Sequence, residues 1–492
     1  MAETHSTIAG RASEMATLNR GLRSKEAELI AVYGRRRVGK THLVREYCKP
    51  RAAVYFEVTG QSGAPMPVQL GHFQRELERV LYPGVRLPTV QTWEQGFELL
   101  ASALERWPRG RAPLVVFLDE IPWLATRRSR FLESLDHAWN TRLSRIRPLC
   151  LIVCGSAASF MLDRVINAKG GLHNRVTQRI RLQPFSVAET KAFLEQRGIR
   201  LGRRQVLELY LALGGVPHYL RHVARGQSAT QAVGAICFDR SGPLYDEFDR
   251  LFTSLFQDSD RHEAIVRALG AKKHGMTRIE LLQATSLPSG GGFARMLRAL
   301  EEADFIGGFV PFGRKIKDAS YRLIDEFTTF HLTWIERAPR GVLAGNGAKH
   351  WASRARMPSY RAWAGYAFEG LCLKHAGALQ HALGLDAVSA VPSTWRWVPP
   401  TRSKALGAQI DLLFDRSDGV ITLCEIKYTA EPFKLTKAYA RTLATKVEVF
   451  RERTRTTKDV QLALITPMTP APSLWLDEVI DAVVTADALF LN

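Results

Sequence analysis

The residues best suited to chemistry stand in the run Gly34-Arg35-Arg36-Arg37-Val38-Gly39-Lys40-Thr41-His42, which fits G-x-x-x-x-G-K-[ST]. Glycines let successive backbone N–H groups turn inward on an anion, and a helix start behind them adds partial positive charge. A lysine here can reach the β- and γ-phosphates of ATP, and the Thr41 hydroxyl can hold Mg²⁺. Further on, Pro113-Leu-Val-Val-Phe-Leu-Asp-Glu-Ile-Pro-Trp123 is an apolar run that meets two carboxylates. Acids at the end of a buried strand are costly to leave unpaired. A metal accounts for Asp119, and a polarised water accounts for Glu120 as general base. Another apolar run ends in Cys154-Gly-Ser156, where the Ser156 hydroxyl could touch the γ-phosphate or its water. A Gly-Ser turn is also an ordinary way to end a strand.

A second constellation lies near the far end of the chain. Ala408-Gln-Ile-Asp-Leu-Leu-Phe414 and Val420-Ile-Thr-Leu-Cys-Glu-Ile-Lys-Tyr428 flank a short polar turn and predict a hairpin. On the second strand Ile421, Leu423, Glu425 and Lys427 share one face. An apolar face that finishes in Glu and Lys suggests a site. Asp411 could join Glu425 around a second Mg²⁺ or a Mn²⁺, with Lys427 orienting or deprotonating a water. A plain hairpin with a surface Glu/Lys pair has the same spacing.

These residues need elements to place them. Glu14, Leu18 and Leu22 predict an amphipathic helix before the first strand. A second strand is expected over 52–58, and helices over 67–82 and 92–106. Residues 178–182 alternate as a half-exposed strand, and Arg175 just before it is placed to reach the nucleotide of a neighbouring subunit. Ser186-Val-Ala-Glu189 is a capping box. Helical segments then lead to Gly214-Gly-Val-Pro217. Three helices (261–270, from Thr277, and 293–303) precede two strands around a basic turn within 305–323, the winged-helix pattern. Arg295, Arg298, Arg314, Lys315 and Lys317 are where it would meet phosphates. Such a module can equally couple domains. Residues 337–358, rich in Gly, Ala and Arg, are expected to be a linker. Lys434, Lys437, Arg441, Lys446, Arg451, Arg453 and Arg455 fall on a helical run that suits either phosphate tracking or simple solvation.

Lys and Arg total 68 against 48 Asp and Glu, a formal charge of +20. That excess favours a polyanionic partner, nucleic acid (DNA first) before membrane. The six cysteines are scattered with no C-x-x-C pair, as expected for reduced thiols in a cytoplasmic protein. The opening residues lack the apolar stretch of a signal peptide, and no apolar run approaches the ~20 residues that span a bilayer.

Tyr33 to Thr41, Leu118-Asp-Glu-Ile-Pro-Trp123, Cys154-Gly-Ser156 and Gly214-Gly-Val-Pro217 together resemble the archaeal-type AAA ATPases, a STAND-related branch of AAA+ P-loop ATPases; the likeness covers roughly residues 8–240. It implies a parallel-sheet α/β ATPase core with a helical lid, in which Gly215 and Pro217 contact the nucleotide. Members usually have Gly-Arg where this chain has Asn174-Arg175, which weakens the role of Arg175 across a nucleotide-dependent homo-oligomer interface. The D-x(13)-E-x-K spacing resembles the PD-(D/E)xK nuclease core of the DUF234 domains that follow such ATPases. That resemblance adds Glu369 as a helix glutamate of the site, although Ile410 stands where the proline would be. The expected organisation is an ATPase core (1–185), a lid (186–243), a winged helix (244–336), a linker (337–358) and a nuclease-like α/β domain (359–492). The expected function is Mg²⁺-dependent ATP hydrolysis coupled to nucleic-acid binding, with DNA cleavage or a non-cleaving regulatory domain as its output.

Overall fold

Glu28–Tyr33 forms β1, Leu114–Asp119 β3 and Leu149–Gly155 β4; every residue of the latter two is buried. The computed structural model describes residues 8–491 apart from 109, 127, 157–159, 168–170, 257, 340–344 and 401–405. Its backbone contacts separate two units, divided between Pro184 and Phe185.

In the N-terminal unit, Val54–Thr59 (β2) and Gln178–Arg181 (β5) complete a five-stranded parallel sheet of order β2-β3-β4-β1-β5. Continuous apolar runs rather than alternating ones are what a parallel sheet covered on both faces requires. Helices Met66–Val80, Trp93–Arg106 and Phe131–Thr141 supply one cover, where Phe73, Trp93, Phe97 and Phe131 meet largely edge to face. Helices Ala12–Arg23 and Lys40–Cys48 supply the other through Leu18, Leu22, Leu43 and Val44. The strand order sets the carboxyl ends of β1, β3 and β4 side by side, the end of an open α/β sheet where ligands bind.

In the C-terminal unit, Val187–Gln196 starts with the Ser186/Glu189 capping box, and Arg203–Leu213 follows it. Helices Ser259–Ala271, Arg278–Thr285 and Gly291–Glu302 pack with a three-stranded antiparallel sheet made of Met276–Thr277 (β6), Ile306–Phe309 (β7) and Ser320–Leu323 (β8), ordered β6-β8-β7. The last element is a mixed sheet: Ala390–Trp397 (β9), Ala408–Arg416 (β10) and Val420–Ile426 (β11) are antiparallel neighbours. Asp459–Thr466 (β12) and Ala482–Thr485 (β13) continue it in parallel, and helix Lys437–Thr454 makes the crossover from β11 to β12. Among the described residues no helix is long and apolar enough to cross a membrane, and all six cysteines are buried and unpaired with one another.

The expected linker needs correction. Residues 340–344 lie outside the described residues, but Gly347–Arg354 is a helix. Trp351 is buried there, stacked on Phe238 with ring centroids 5.0 Å apart and edge-on to Phe330. One aromatic anchor converts a Gly/Ala/Arg-rich stretch into part of the core.

The same core buries titratable rings. His331 lies flat on Phe248 at 4.3 Å, and burial pushes its pKa down to about 4. Burial likewise takes His375 down to about 3. Below pH 6.5 the unfolded chain binds protons that these native histidines refuse, so native stability falls as the pH drops from 6.5 towards 4. The C-terminal unit is expected to lose about 2 kcal/mol between pH 7 and pH 5 from His331 alone. Thermal melting at the two pH values checks this, and His331→Phe should narrow the difference; equal melting points in both proteins would refute it.

Candidate functional site

Gly34 must be glycine because its φ is +144° and a Cβ would lie 2.1 Å from the Leu182 carbonyl oxygen just after β5. The loop it begins folds back on the chain. Lys40 Nζ donates to the carbonyls of Gly34 (3.0 Å) and Arg35 (2.9 Å) and to Ser156 Oγ (3.1 Å). All three donors of the ammonium are thereby used. Burial pushes the Lys40 pKa down, and the nearby carboxylates of Glu120 and Asp119 pull it back up. The following helix starts at Lys40 with Gly39 as its cap and no side chain over its first-turn amides. Arg35 is wholly buried in the loop, Arg36 and Arg37 are half-buried, Val38 is buried, and His42 is exposed. Arg11, the buried residue just before helix Ala12–Arg23, donates to the Val38 carbonyl at 3.3 Å and ties that segment to the loop.

Thr41 Oγ1 donates to Asp119 Oδ2 at 2.7 Å. A hydroxyl and a carboxylate in contact at the mouth of an amide-lined loop are the oxygen donors Mg²⁺ prefers, so these residues fit the ion. The other Asp119 oxygen accepts from the Glu120 N–H at 2.9 Å. Glu120 sits in the left-handed region, with φ and ψ both 48°, a conformation that costs energy in a non-glycine residue and recurs at functional sites. Its carboxylate accepts from the Ser156 backbone N–H (3.2 Å) and from the Ser156 hydroxyl. Lys40, Thr41, Asp119, Glu120 and Ser156 therefore form one connected cluster at three strand ends. Arg175 stands apart from it, exposed, with Nε donating to Asn140 Oδ1 at 2.7 Å.

Residues 8–223 match the family model described as an ATPase domain predominantly from Archaea. The match supports an archaeal-type P-loop ATPase domain over these residues. The chain is thus an ATP-hydrolysing enzyme. It is 24% identical to an uncharacterized protein of Methanocaldococcus jannaschii over 337 residues, 66% of this chain and 68% of that one. Among solved structures it is similar to the Walker-type ATPase of Pyrococcus abyssi, at 17% identity and a TM-score of 0.46 over 67% of this chain and 97% of that one. It is also similar to the ORC2 protein of Aeropyrum pernix, at 15% identity and a TM-score of 0.43 over 72% and 98%.

The Gly-Gly turn at the end of the ATPase domain lies in the C-terminal unit. Gly215 O accepts from the Phe185 N–H at 2.7 Å, and a Cβ at Gly215 would stand 1.9 Å from the Phe185 carbonyl oxygen. Close backbone packing by itself therefore demands this glycine. Pro217 begins the short helix Pro217–Leu220.

Beyond the ATPase domain, β10 and β11 pair Leu412 with Cys424, and Asp411 and Glu425 are the next residues out. Helix Pro358–Lys374 brings Glu369 to the same place. Burial, then the charge of Asp411, pushes the Glu369 carboxyl up to about 7, against the pull of Lys427 and Arg322. Glu369, Asp411, Glu425 and Lys427 are thus gathered into one charged cluster.

Its internal bonding differs from the expected one. Glu425 is buried, yet Lys446 Nζ donates to one oxygen at 2.7 Å, Lys427 Nζ lies 3.0 Å from the other, and Tyr439 also donates to it. Burial raises the Glu425 pKa, but the two ammonium groups outweigh it and hold the carboxyl below its usual range. Lys427 is in turn held protonated: burial opposes the charge, and Glu425 overcomes it. A protonated lysine can orient a water but cannot deprotonate one. Lys446 is an ion-pair partner here and not part of a phosphate-tracking face. Asp411 accepts from Gln409 Nε2 at 2.5 Å, and the same amide lies 3.2 Å from His274 Nδ1. With Glu425 occupied by two lysines and a tyrosine, the cluster does not fit a second metal ion as it stands. Among the described residues no group of three His, Cys, Asp or Glu is disposed to hold one. Tyr439, Gln409, His274 and Arg322 carried no sequence signal beyond their own polarity.

Proposed function

We propose that the chain is a Mg²⁺-dependent ATPase whose nucleotide state is coupled, through its C-terminal unit, to the binding of nucleic acid. The observation that supports this most is the single hydrogen-bonded cluster joining Lys40, Thr41, Asp119, Glu120 and Ser156. A triphosphate in the loop would draw the Lys40 ammonium off the Gly34 and Arg35 carbonyls and onto phosphate oxygens, while the first-turn amides meet the same charge. Mg²⁺, held by Thr41 and Asp119, would supply charge neutralisation between the phosphates. Glu120 would take the proton of the attacking water, and Ser156, bonded to both Glu120 and Lys40, would register whether a γ-phosphate is present. Gly215 and Pro217 would belong to the lid over the nucleotide. The exposed Arg175 would reach the nucleotide of an adjoining subunit in a nucleotide-dependent homo-oligomer.

Nucleic acid is the partner that the +20 charge and the exposed Arg295, Arg298, Arg314, Lys315 and Lys317 suit, on the third helix and turn of a winged-helix-like module. The clamp of Lys446 and Lys427 on Glu425 favours a C-terminal domain that binds DNA without cutting it. The convergence of Glu369, Asp411, Glu425 and Lys427 favours the second reading, a PD-(D/E)xK-like nuclease.

An ATPase assay with and without single- and double-stranded DNA, followed by a gel of the same samples, separates the two. We expect DNA retention that weakens about 10²-fold or more from 50 to 200 mM salt, with no cleavage product in Mg²⁺ or Mn²⁺. A product that appears and then disappears in Asp411→Ala, with ATP turnover unchanged, would establish the nuclease reading instead.

A further inference from the structure

A cavity of about 720 Å³ lies within the C-terminal unit; Glu369 of the cluster described above is on its wall, and the rest of its lining has no role assigned so far. That volume is in the range of small-molecule sites, roughly 300–1,000 Å³. Helix Ser259–Ala271, strand β8, helix Gly347–Arg354 and helix Pro358–Lys374 all contribute to its wall.

Set among aliphatic residues of the lining are two kinds of side chain suited to recognition. Trp334, Trp363 and Tyr366 are aromatic; the two indoles stand edge to face with centroids 6.1 Å apart, Trp363 is buried, and Tyr366 is substantially exposed with the Lys273 ammonium 3.7 Å from its ring centroid, a cation that a phosphate could also meet. Arg322, Arg337 and Arg354 are cationic, and among the described residues none of them has a carboxylate within ion-pair distance. Arg337 and Arg354 are exposed, but Arg322 is half-buried, and its buried Nε has no hydrogen-bond partner. A guanidinium left this way carries a desolvation cost that an anion would relieve. Burial lowers its pKa accordingly. The acids on the same wall offset only part of the charge, Glu369 and the nearby Asp411 acting on Arg322 and leaving Arg337 and Arg354, among the described residues, without a carboxylate partner. Glu326 is bound by Lys374 through both oxygens, at 2.8 and 2.9 Å, and Glu369 faces Arg322 across the cluster already described.

Aromatic faces are platforms for planar rings, and arginine forks match the oxygens of a phosphate. We propose that this cavity binds a nucleoside phosphate, its base against the Trp334–Trp363–Tyr366 wall and its phosphate among Arg322, Arg337 and Arg354. The ligand is either a free mononucleotide or the terminal nucleotide of a single strand; the chemistry is shared.

Calorimetric titration of the full chain carrying Lys40→Ala tests this apart from the P-loop, with adenosine monophosphate, guanosine monophosphate, a 5′-phosphorylated single-stranded tetranucleotide and inorganic phosphate as probes. At least one nucleotide probe should bind tenfold or more tightly than inorganic phosphate. Arg337→Glu with Arg354→Glu should weaken that binding at least tenfold, and Tyr366→Ala, also at an exposed position, should weaken it independently. Preference for a mononucleotide or for the oligonucleotide identifies the source, and either supports the site. Absence of binding at millimolar concentration, equal affinity for inorganic phosphate, or unchanged affinity in both variants would overturn it. Because the P-loop is disabled in this experiment, its failure would leave the ATPase reading where it stands.

Discussion

Glu120→Gln is expected to lower ATP turnover about 10²–10⁴-fold while ATP binding persists. Glutamine keeps the length and shape of the side chain; its carbonyl oxygen can accept from the Ser156 N–H while its amide N–H donates to the Ser156 hydroxyl oxygen, so the turn after β3 should hold its conformation. What it loses is basicity. The left-handed backbone at Glu120 points to the same conclusion, because a residue held at φ 48° by its surroundings is aimed rather than free to wander. Phosphate release under single-turnover conditions, paired with binding of a fluorescent ATP analogue, separates chemistry from affinity. Undiminished phosphate release would remove Glu120 from the role of base.

The second large effect is expected at the lysine. Lys40→Ala should reduce ATP binding by about a hundredfold or more and bring turnover to background, as removal of a single charge-stabilising donor does elsewhere. The substitution also leaves the Gly34 and Arg35 carbonyls without the donor they share, in a buried setting. A stability loss of about 1–3 kcal/mol is expected on that account, so melting must be followed alongside binding. Lys40→Arg should not restore function, since a planar guanidinium cannot place donors on two carbonyls and a serine in the way an ammonium does. Retained affinity in a well-folded Lys40→Ala protein would refute the assignment.

The N-terminal site was legible because each of its parts is local. A strand of five or six apolar residues brings its own terminator, whether Gly34, Asp119-Glu120 or Gly155-Ser156, and parallel pairing then sets the terminators side by side. Fold and chemistry are written in the same short segments. The C-terminal cluster is different. Asp411, Glu369, Glu425 and Lys427 could be picked out, but the residues that decide their state come from afar. Lys446 reaches Glu425 from a helix 21 residues on, and His274 meets Gln409 across 135 residues. Nothing in the spacing of a hairpin foretells which cation will arrive. Trp351 repeats the lesson, since its packing on Phe238 and Phe330 is invisible in the composition that suggested a linker.

Strand β9 forms one margin of the mixed sheet, and the turn after β7 lies along it: Pro311 bridges to Thr394, the Phe312 N–H donates to the Thr394 carbonyl at 2.8 Å, and the Phe312 ring packs on Phe450. Open sheet margins are templates on which a second chain can add a strand and begin to aggregate. Here Pro392 within β9 removes one donor, and the Pro311–Phe312 segment covers the backbone nearby. The segment proposed to meet nucleic acid thus also covers part of this margin: shortening it to test DNA binding would uncover a margin bearing the exposed Val391 and invite self-association, which a binding assay would register as lost affinity.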